Sequence, residues 1–146
     1  MARTSTYLNF RGNTEEAFNF YKSAFKTDFV DRIHRMGEVP LSADSPPLSE
    51  DHKKLVMHVE LPIVGGHSLM GTDTLESMGP PLTFGNNVSI NLELDTRAET
   101  ERLFAELGEG GAVTMPLQDM FWGDYFGALT DKFGVQWMFT CSEKKT

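Results

Sequence analysis

The fold is decided by residues Met115–Cys141, which read MPLQDMFWGDYFGALTDKFGVQWMFTC. This apolar stretch holds both tryptophans of the chain, and the residues Thr130–Gly134 divide it into two runs. Trp122–Leu129 and Val135–Thr140 are rich in aromatic and β-branched residues, whereas the Asp, Lys and Gly between them favour a turn. The stretch therefore predicts a β-hairpin.

The same pattern occurs earlier in the chain, where Lys54–Leu61 and His67–Thr72 flank the turn Gly65-Gly66. Alternation of side chains predicts two faces for each strand. In the first run the predicted apolar face holds Leu55, Met57, Val59 and Leu61, and the opposite face holds Val56, His58 and Glu60. In the strand Val88–Leu94 the apolar face holds Val88, Ile90, Leu92 and Leu94, opposite Ser89, Asn91 and Glu93.

Two helices are predicted from their N-terminal signals. Asn13 precedes Glu16 by three residues, and Thr96 precedes Glu99 by three, as in a capping box. The helix after Asn13 carries an aromatic stripe at helical spacing, and the glycines from Gly108 onward end the second helix.

Short strands are predicted at Thr6–Phe10, Phe29–Arg35 and Ala112–Met115, so the order strand, helix, three strands occurs twice. The caps and turn glycines recur at similar spacing in both halves. The sequence predicts one α+β domain over residues 1–146, with two βαβββ modules at about 5–73 and 86–141. The modules are expected to form a curved mixed sheet with the helices on its outer face.

A long polar segment, Met36–Lys53, interrupts the first module and contains Pro40, Pro46 and Pro47. Unstructured loops of this length are commonly lids, partner arms or disordered flaps. One hypothesis is that this loop reaches across to a partner subunit.

The charge balance is acidic, with 21 Asp and Glu against 13 Lys and Arg and a net charge of −8. A phosphate backbone would be repelled, so nucleic acid is not an expected partner. The N-terminal residues lack the apolar core of a signal peptide, and no apolar run approaches the roughly 20 residues of a membrane span. A soluble, cytoplasmic protein with no membrane partner is expected, and the single Cys141 excludes an internal disulfide.

Three stretches together resemble the PhnB-like branch of the vicinal oxygen chelate superfamily. They are YLNFRGNTEEAFNFYKSAF at Tyr7–Phe25, MHVELPIVGGHSLMGTD at Met57–Asp73, and MPLQDMFWGDYFGALTDKFGVQWMF at Met115–Phe139. The superfamily includes glyoxalase I, extradiol dioxygenases, and fosfomycin and bleomycin resistance proteins. Similar proteins mostly lack an assigned reaction, and some carry a demethylubiquinone methyltransferase label. No glycine-rich loop opens a helix after the first strand, as a nucleotide-like methyl donor would require, so methyl transfer is not expected.

The resemblance implies a divalent metal held by four side chains, one from the first and one from the last strand of each module. Family spacing places those positions at Thr6, Met70, Ser89 and Met138. Hydroxyls are weak neutral ligands and thioethers prefer soft metals, so these residues do not suit a hard divalent ion. The four histidines show no HxH or HExxH spacing. We therefore expect neither a metal nor another cofactor.

The candidate site lies on the faces opposite the helices. His58 and Glu60 are candidates for a catalytic base and its orienting carboxylate, and the alternative is an ordinary hydrogen-bonded pair. Trp122 is a candidate for capping a ligand, and the alternative is a place in the core or a subunit contact. The predicted ligand-binding residues are Met70, Ser89, Asn91, Glu93, Trp122, Asp124, Phe126, Gln136 and Met138.

The function predicted from the sequence is binding of a small planar or hydrophobic molecule in a cleft of a homodimer, without a metal. Two alternatives are enzymes: a glyoxalase-type metal-dependent lyase or isomerase, and a metal-free acid–base catalyst that uses His58 and Glu60. A third alternative is a protein that acts through protein contacts alone.

Overall fold

The computed structural model of the chain describes residues 1–40, 42, 44 and 47–145, and only the backbone of Met78. Along these residues the helices and strands follow in the order β1 (Thr6–Phe10), α1 (Thr14–Phe25), β2 (His34–Arg35), α2 (Glu50–Lys53), β3 (Val56–Pro62), β4 (Ser68–Asp73), β5 (Ile90–Leu94), α3 (Arg97–Gly108), β6 (Ala112–Asp119), β7 (Tyr125–Thr130) and β8 (Gln136–Cys141).

The chain divides into two compact units, Met1–Leu82 and Thr83–Thr146. Each unit contains a four-stranded mixed sheet, with strand order β1-β4-β3-β2 in the first and β5-β8-β7-β6 in the second. In each unit the first strand along the chain pairs in parallel with the last one, β1 with β4 and β5 with β8. The remaining strand pairs are antiparallel. The predicted α+β class and the doubled βαβββ order are confirmed.

The long helix of the first unit packs on one face of its sheet. The predicted aromatic stripe of α1, with Phe18 and Tyr21, is fully buried and contacts β3 and β4. Phe18 lies so close to Gly71 that a Cβ atom built on that glycine would be 2.5 Å from the Phe18 ring. The apolar face of the sheet therefore carries Gly71, and its neighbours Met70 and Thr72 point to the opposite, open face.

The N-terminus of α1 differs from the prediction. Asn13 makes no side-chain capping bond there. Instead, Asp73 at the end of β4 accepts hydrogen bonds from the backbone N–H groups of Gly12 and Thr14, both at 3.0 Å. At α3 the Thr96 N-cap of the predicted capping box is confirmed, since the Thr96 hydroxyl accepts from the Glu99 N–H at 3.1 Å. The Glu99 carboxylate itself accepts from the Arg102 guanidinium at 3.1 Å.

The second unit is built around the predicted hairpin. Leu129 on β7 and Trp137 and Phe139 on β8 are buried under α3. The turn between the two strands is held by Asp131, whose buried carboxylate accepts from the Trp137 indole N–H at 2.8 Å. The alternation predicted for β8 is confirmed, because Gln136, Met138 and Thr140 are more exposed than their neighbours.

Several strand boundaries were predicted wrongly. β2 has two residues rather than seven, because Asp31 adopts a left-handed conformation (φ 64°) and interrupts the extended chain. β6 continues to Asp119, so Trp122 lies in the turn before β7 rather than in a strand. In β5 the exposed Val88 precedes the strand and is not part of its apolar face.

The start of β3 also departs from the prediction. His34 pairs with His58 and Arg35 pairs with Val56, so Met57 is an extra residue on β3, which is a β-bulge. The bulge reverses the predicted faces at this point, and Val56 is buried whereas Met57 is exposed. Beyond the bulge the predicted alternation holds.

Both ends of the Met36–Lys53 loop contain helical turns. It begins with a single helical turn at Met36–Glu38 and ends with α2. Residues 41, 43, 45 and 46, and with them the hypothesis of a partner arm at these positions, lie outside the described residues. No helix in the described part of the chain is both long and apolar enough to cross a membrane.

Candidate functional site

The open face of the first sheet gathers three of the predicted site residues. Tyr7 on β1 lies opposite Met70 on β4, and Met70 lies opposite Glu60 on β3. His58 precedes Glu60 by two residues and therefore points to the same face. The structure thus brings His58, Glu60 and Met70 together, and it adds Tyr7, which was not predicted.

Hydrogen bonds fix this polar group. The Tyr7 hydroxyl lies 3.2 Å from Nδ1 of His58, and the Arg3 guanidinium donates to Oε2 of Glu60 at 2.9 Å. The Arg3 hydrogen bond lowers the pKa of Glu60, burial opposes that shift, and Ser68 adds a smaller lowering effect. Burial raises the pKa of the Tyr7 phenol. At neutral pH Glu60 is therefore an ionised acceptor.

The two residues that were not predicted, Tyr7 and Arg3, differ in how far local sequence patterns mark them. Tyr7 could have been found, since it lies three residues before Phe10 in a predicted strand and its side chain therefore points to the opposite face from this buried residue. Its proximity to His58, however, depends on β1 pairing with β4, which is a contact between distant parts of the chain. Arg3 precedes the first strand, and no local pattern marks it as the partner of Glu60.

The open face of the second sheet carries a second group of predicted residues. Asn91 on β5 lies opposite Met138 on β8, which in turn lies opposite Ala128 on β7. Glu93 and Phe126 occupy the next row, on either side of Thr140. Asn91, Glu93, Phe126 and Met138 therefore share one face, as predicted. Asn91 uses its Oδ1 to accept from the Thr140 hydroxyl at 3.2 Å.

Three aromatic residues, Phe121, Trp122 and Phe126, form what we call the aromatic tip, at the turn between β6 and β7. The Phe121 and Trp122 rings meet edge-on with centroids 4.9 Å apart, and Trp122 and Phe126 are 6.5 Å apart. Phe121 is 97% exposed and Trp122 is 53% exposed. Of the three environments considered for Trp122, this exposure does not fit a place in the core of its unit.

The remaining predicted residues lie at the margin of this face. Ser89 is exposed and precedes β5. The Gln136 amide donates to the carbonyl oxygens of Gly85 and Val88, so it holds the segment before β5. Asp124 accepts from the Ser142 hydroxyl at 3.4 Å.

The observed strand pairing does not bring the projected metal positions Thr6 and Met70 opposite each other. Thr6 pairs with Leu69, and its hydroxyl lies 2.8 Å from Nε2 of His67. On the first strand of each module, the residues that oppose Met70 and Met138 are Tyr7 and Asn91, which offer a phenol and an amide. Neither pair provides the imidazole and carboxylate ligands that suit a divalent ion. Among the described residues, no group of three or more His, Cys, Asp or Glu is arranged to hold a metal.

The fold is that of the glyoxalase/bleomycin resistance/dioxygenase class. A domain of this description from Frankia sp. EAN1pec has a TM-score of 0.65 at 13% identity, and the alignment covers 100% of this chain and 95% of that one. The family model described as 3-demethylubiquinone-9 3-methyltransferase matches residues 2–140. The chain belongs to this family, whose members include PhnB-like proteins.

Other relatives agree with this assignment. Protein PA1353 from Pseudomonas aeruginosa is 37% identical, with a TM-score of 0.81 and coverage of 99% of this chain and 100% of that chain. The PhnB protein from Bacillus cereus is 30% identical, with a TM-score of 0.74 and coverage of 96% and 99%. Protein YjdN from Escherichia coli is 30% identical over 92% of this chain and 91% of its own length.

Proposed function

We propose that the protein binds a small, planar and largely apolar molecule on the open face of the second sheet, without a metal, as a homodimer. The observation that carries this proposal is the exposure of Phe121 and Trp122 beside Phe126. Exposed aromatic rings of this size leave apolar surface in water, and covering it with a flat ligand is favourable. Met138 on the same face supplies an adaptable apolar contact.

The proposal includes no metal because the candidate ligand side chains do not suit a divalent ion. Family spacing projects the ligand positions onto Thr6, Met70, Ser89 and Met138. The observed first-strand partners of Met70 and Met138 are Tyr7 and Asn91. Thioethers prefer soft metals, and a neutral phenol or amide is a weak ligand. The same argument makes a glyoxalase-type metal enzyme the less favoured alternative.

Methyl transfer, which the family description names, is not part of the proposal. The helix that follows the first strand begins against the carboxylate of Asp73, which accepts the N–H groups of Gly12 and Thr14. That helix end therefore cannot offer the same donors to a nucleotide-like cosubstrate. The description does suggest a probe, because a quinone ring is planar and largely apolar.

Menadione binding tests the proposal, measured by equilibrium dialysis so that the readout does not depend on tryptophan fluorescence. Trp122→Ala is expected to weaken binding about tenfold, since an aromatic contact and its buried area together contribute about 1.4 kcal/mol. Phe84→Ala is the matched control, because Phe84 is an exposed aromatic residue of the same unit outside the aromatic tip. Equal losses in both variants, or no binding to the wild-type protein, would contradict the proposal.

A second candidate function is metal-free acid–base catalysis on the open face of the first sheet. The hydrogen bond between Tyr7 and His58 favours it, because it joins a possible proton donor to an imidazole. Glu60, kept ionised by Arg3, would stabilise a positively charged imidazole rather than act as the base.

The variant His58→Gln separates a catalyst from a binding protein. Any substrate converted by the wild-type protein should be turned over about 10²–10⁴-fold more slowly while its affinity is kept, as expected for loss of a general base. His67→Gln is the control, since the His67 ring contacts the Thr6 hydroxyl rather than His58 or Glu60. If affinity falls and turnover per bound substrate does not, His58 is a binding residue and the acid–base candidate is wrong.

A further inference from the structure

A separate open pocket of about 460 Å³ lies at one end of the first sheet. It forms where β1 and β4 end and β3 begins. The pocket is lined by Arg11, Gly12, His52, Leu55, Thr74 and Leu75, with Glu76 and Ser77 beside them. Tyr7, on the open face, is three residues before the end of β1, so the two places are about 10 Å apart along the strand.

One buried carboxylate holds three walls of this pocket together. Asp73, 4% exposed, accepts through Oδ1 from the Gly12 N–H at 3.0 Å and through Oδ2 from the Val56 N–H at 2.8 Å. The first bond fixes the segment that carries Arg11, the second fixes the segment that carries Leu55, and Thr74 directly follows Asp73. The lining segments are therefore positioned before any ligand arrives.

The other walls are also tied to the backbone. The Thr74 N–H donates to the Phe10 carbonyl at 2.7 Å. His52 lies in α2, where its N–H donates to the Ser49 hydroxyl at 3.1 Å, and its carbonyl accepts from the Leu55 N–H at 3.2 Å. The Arg11 guanidinium donates to the carbonyl of Leu82. Hydrogen bonds thus fix the backbone around the pocket, and the side chains that line it include basic, acidic and apolar ones.

We propose that this pocket binds a small amino-carboxylate with an apolar side chain. The guanidinium of Arg11 has the planar donor geometry that suits a carboxylate, and His52 offers a further ring nitrogen. The carboxylate of Glu76 is the acceptor for the ligand's ammonium group. Leu55 and Leu75 supply an apolar wall for the side chain, and the volume accommodates a molecule the size of an aromatic amino acid.

Amide chemical shifts test this inference, with L-phenylalanine as the probe and the whole chain in solution. Shifts are expected at the Gly12 and Leu75 amides and not at Tyr7 or Met70, with saturation at or below about 10 mM, since one paired carboxylate gives modest affinity. L-phenylalaninamide lacks the carboxylate, and N-acetyl-L-phenylalanine lacks the ammonium charge. Each compound should bind about tenfold more weakly than L-phenylalanine.

Two variants complete the test. Arg11→Gln should weaken L-phenylalanine about tenfold and leave L-phenylalaninamide unchanged, and Glu76→Gln should weaken L-phenylalanine and leave the N-acetyl compound unchanged. Arg32→Gln is the control, because Arg32 is paired with Glu38 and neither residue lines the pocket. No shift at Gly12 and Leu75, equal binding of all three compounds, or shifts confined to the open faces would overturn the inference. Menadione binding measured separately distinguishes that failure from failure of the proposed function.

Discussion

At the scale of single residues, buried carboxylates organise the turns of this protein. Asp131 is 3% exposed and accepts through Oδ1 from the N–H groups of Phe133 at 2.8 Å and Val135 at 3.1 Å. Its Oδ2 accepts from the Trp137 indole at 2.8 Å. A buried carboxylate is costly unless it is hydrogen-bonded, and here the turn and the largest core side chain provide the donors. Asp73 has the corresponding role in the first unit.

Asp131→Asn is expected to lower the free energy of unfolding by about 2 kcal/mol, because the amide NH₂ group would face N–H donors and leave them unpaired. Urea unfolding, followed by tryptophan fluorescence, measures this change. Asp95→Asn is the matched control, since Asp95 is exposed at the end of β5 and its substitution should change stability little. If the two variants unfold alike, the Asp131 hydrogen bonds do not stabilise the turn as argued.

The sequence indicated only part of these arrangements. The Asp, Lys and Gly residues within Thr130–Gly134 predict a turn that includes Asp131, but nothing local shows that its carboxylate is buried. Asn13 was expected to cap α1 because of its position, whereas the carboxylate that does so belongs to Asp73, 59 residues from Thr14. Capping rules use neighbouring residues, and a distant side chain can replace the local one.

At the scale of elements, glycines let the helices lie directly on the sheets. A Cβ atom at Gly71 would be 2.5 Å from the ring of the fully buried Phe18. In the second unit, a Cβ atom at Gly127 would be 3.0 Å from the ring of Phe104 on α3. In both cases an aromatic side chain of the helix occupies the space above a strand that has no side chain at that point.

Gly71→Ala is therefore expected to lower the free energy of unfolding by about 1–3 kcal/mol through overpacking, because the buried Phe18 ring has little room to move. Gly79→Ala is the control. A Cβ atom at Gly79 meets nothing within 4 Å, and the backbone there is extended, so its stability should be unchanged or slightly higher. Thermal unfolding of the two variants should differ, and equal melting temperatures would show that α1 adjusts without cost.

Alternation of side chains predicted the elements well where the strands are regular. It located β3 and β5, and it placed His58 and Glu60 on the face that they occupy. The strands β4, β7 and β8 were located by their turn signals and, for β7 and β8, by their β-branched and aromatic content. It failed where the backbone departs from a regular strand, at Asp31 in front of β2 and at Met57 in the β3 bulge. Such departures depend on the pairing of strands, and a period of two residues carries no information about them.

At the scale of the whole molecule, the expected state is a homodimer. The superfamily resemblance and the exposed Phe121 and Trp122 support this expectation, since contiguous exposed apolar surface often marks a contact between chains. Light scattering of the purified protein at micromolar concentration should give twice the 16.4 kDa mass of the chain. The aromatic tip can be tested in the same experiment, because Phe121→Ser would give monomers if the tip forms the contact and dimers if it binds only a ligand. A monomeric wild-type protein would contradict the prediction.

Strand β6 lies at an edge of the second sheet, and an edge strand can affect whether a protein aggregates. Val113 and Met115 on this strand are exposed, and an edge of this kind can template another chain. Pro116 has no N–H to donate, and the pairing of β6 with β7 shifts on both sides of Met115. The strand with the most exposed apolar side chains is thus a poor template. Cross-β aggregation is therefore not expected to start from this edge.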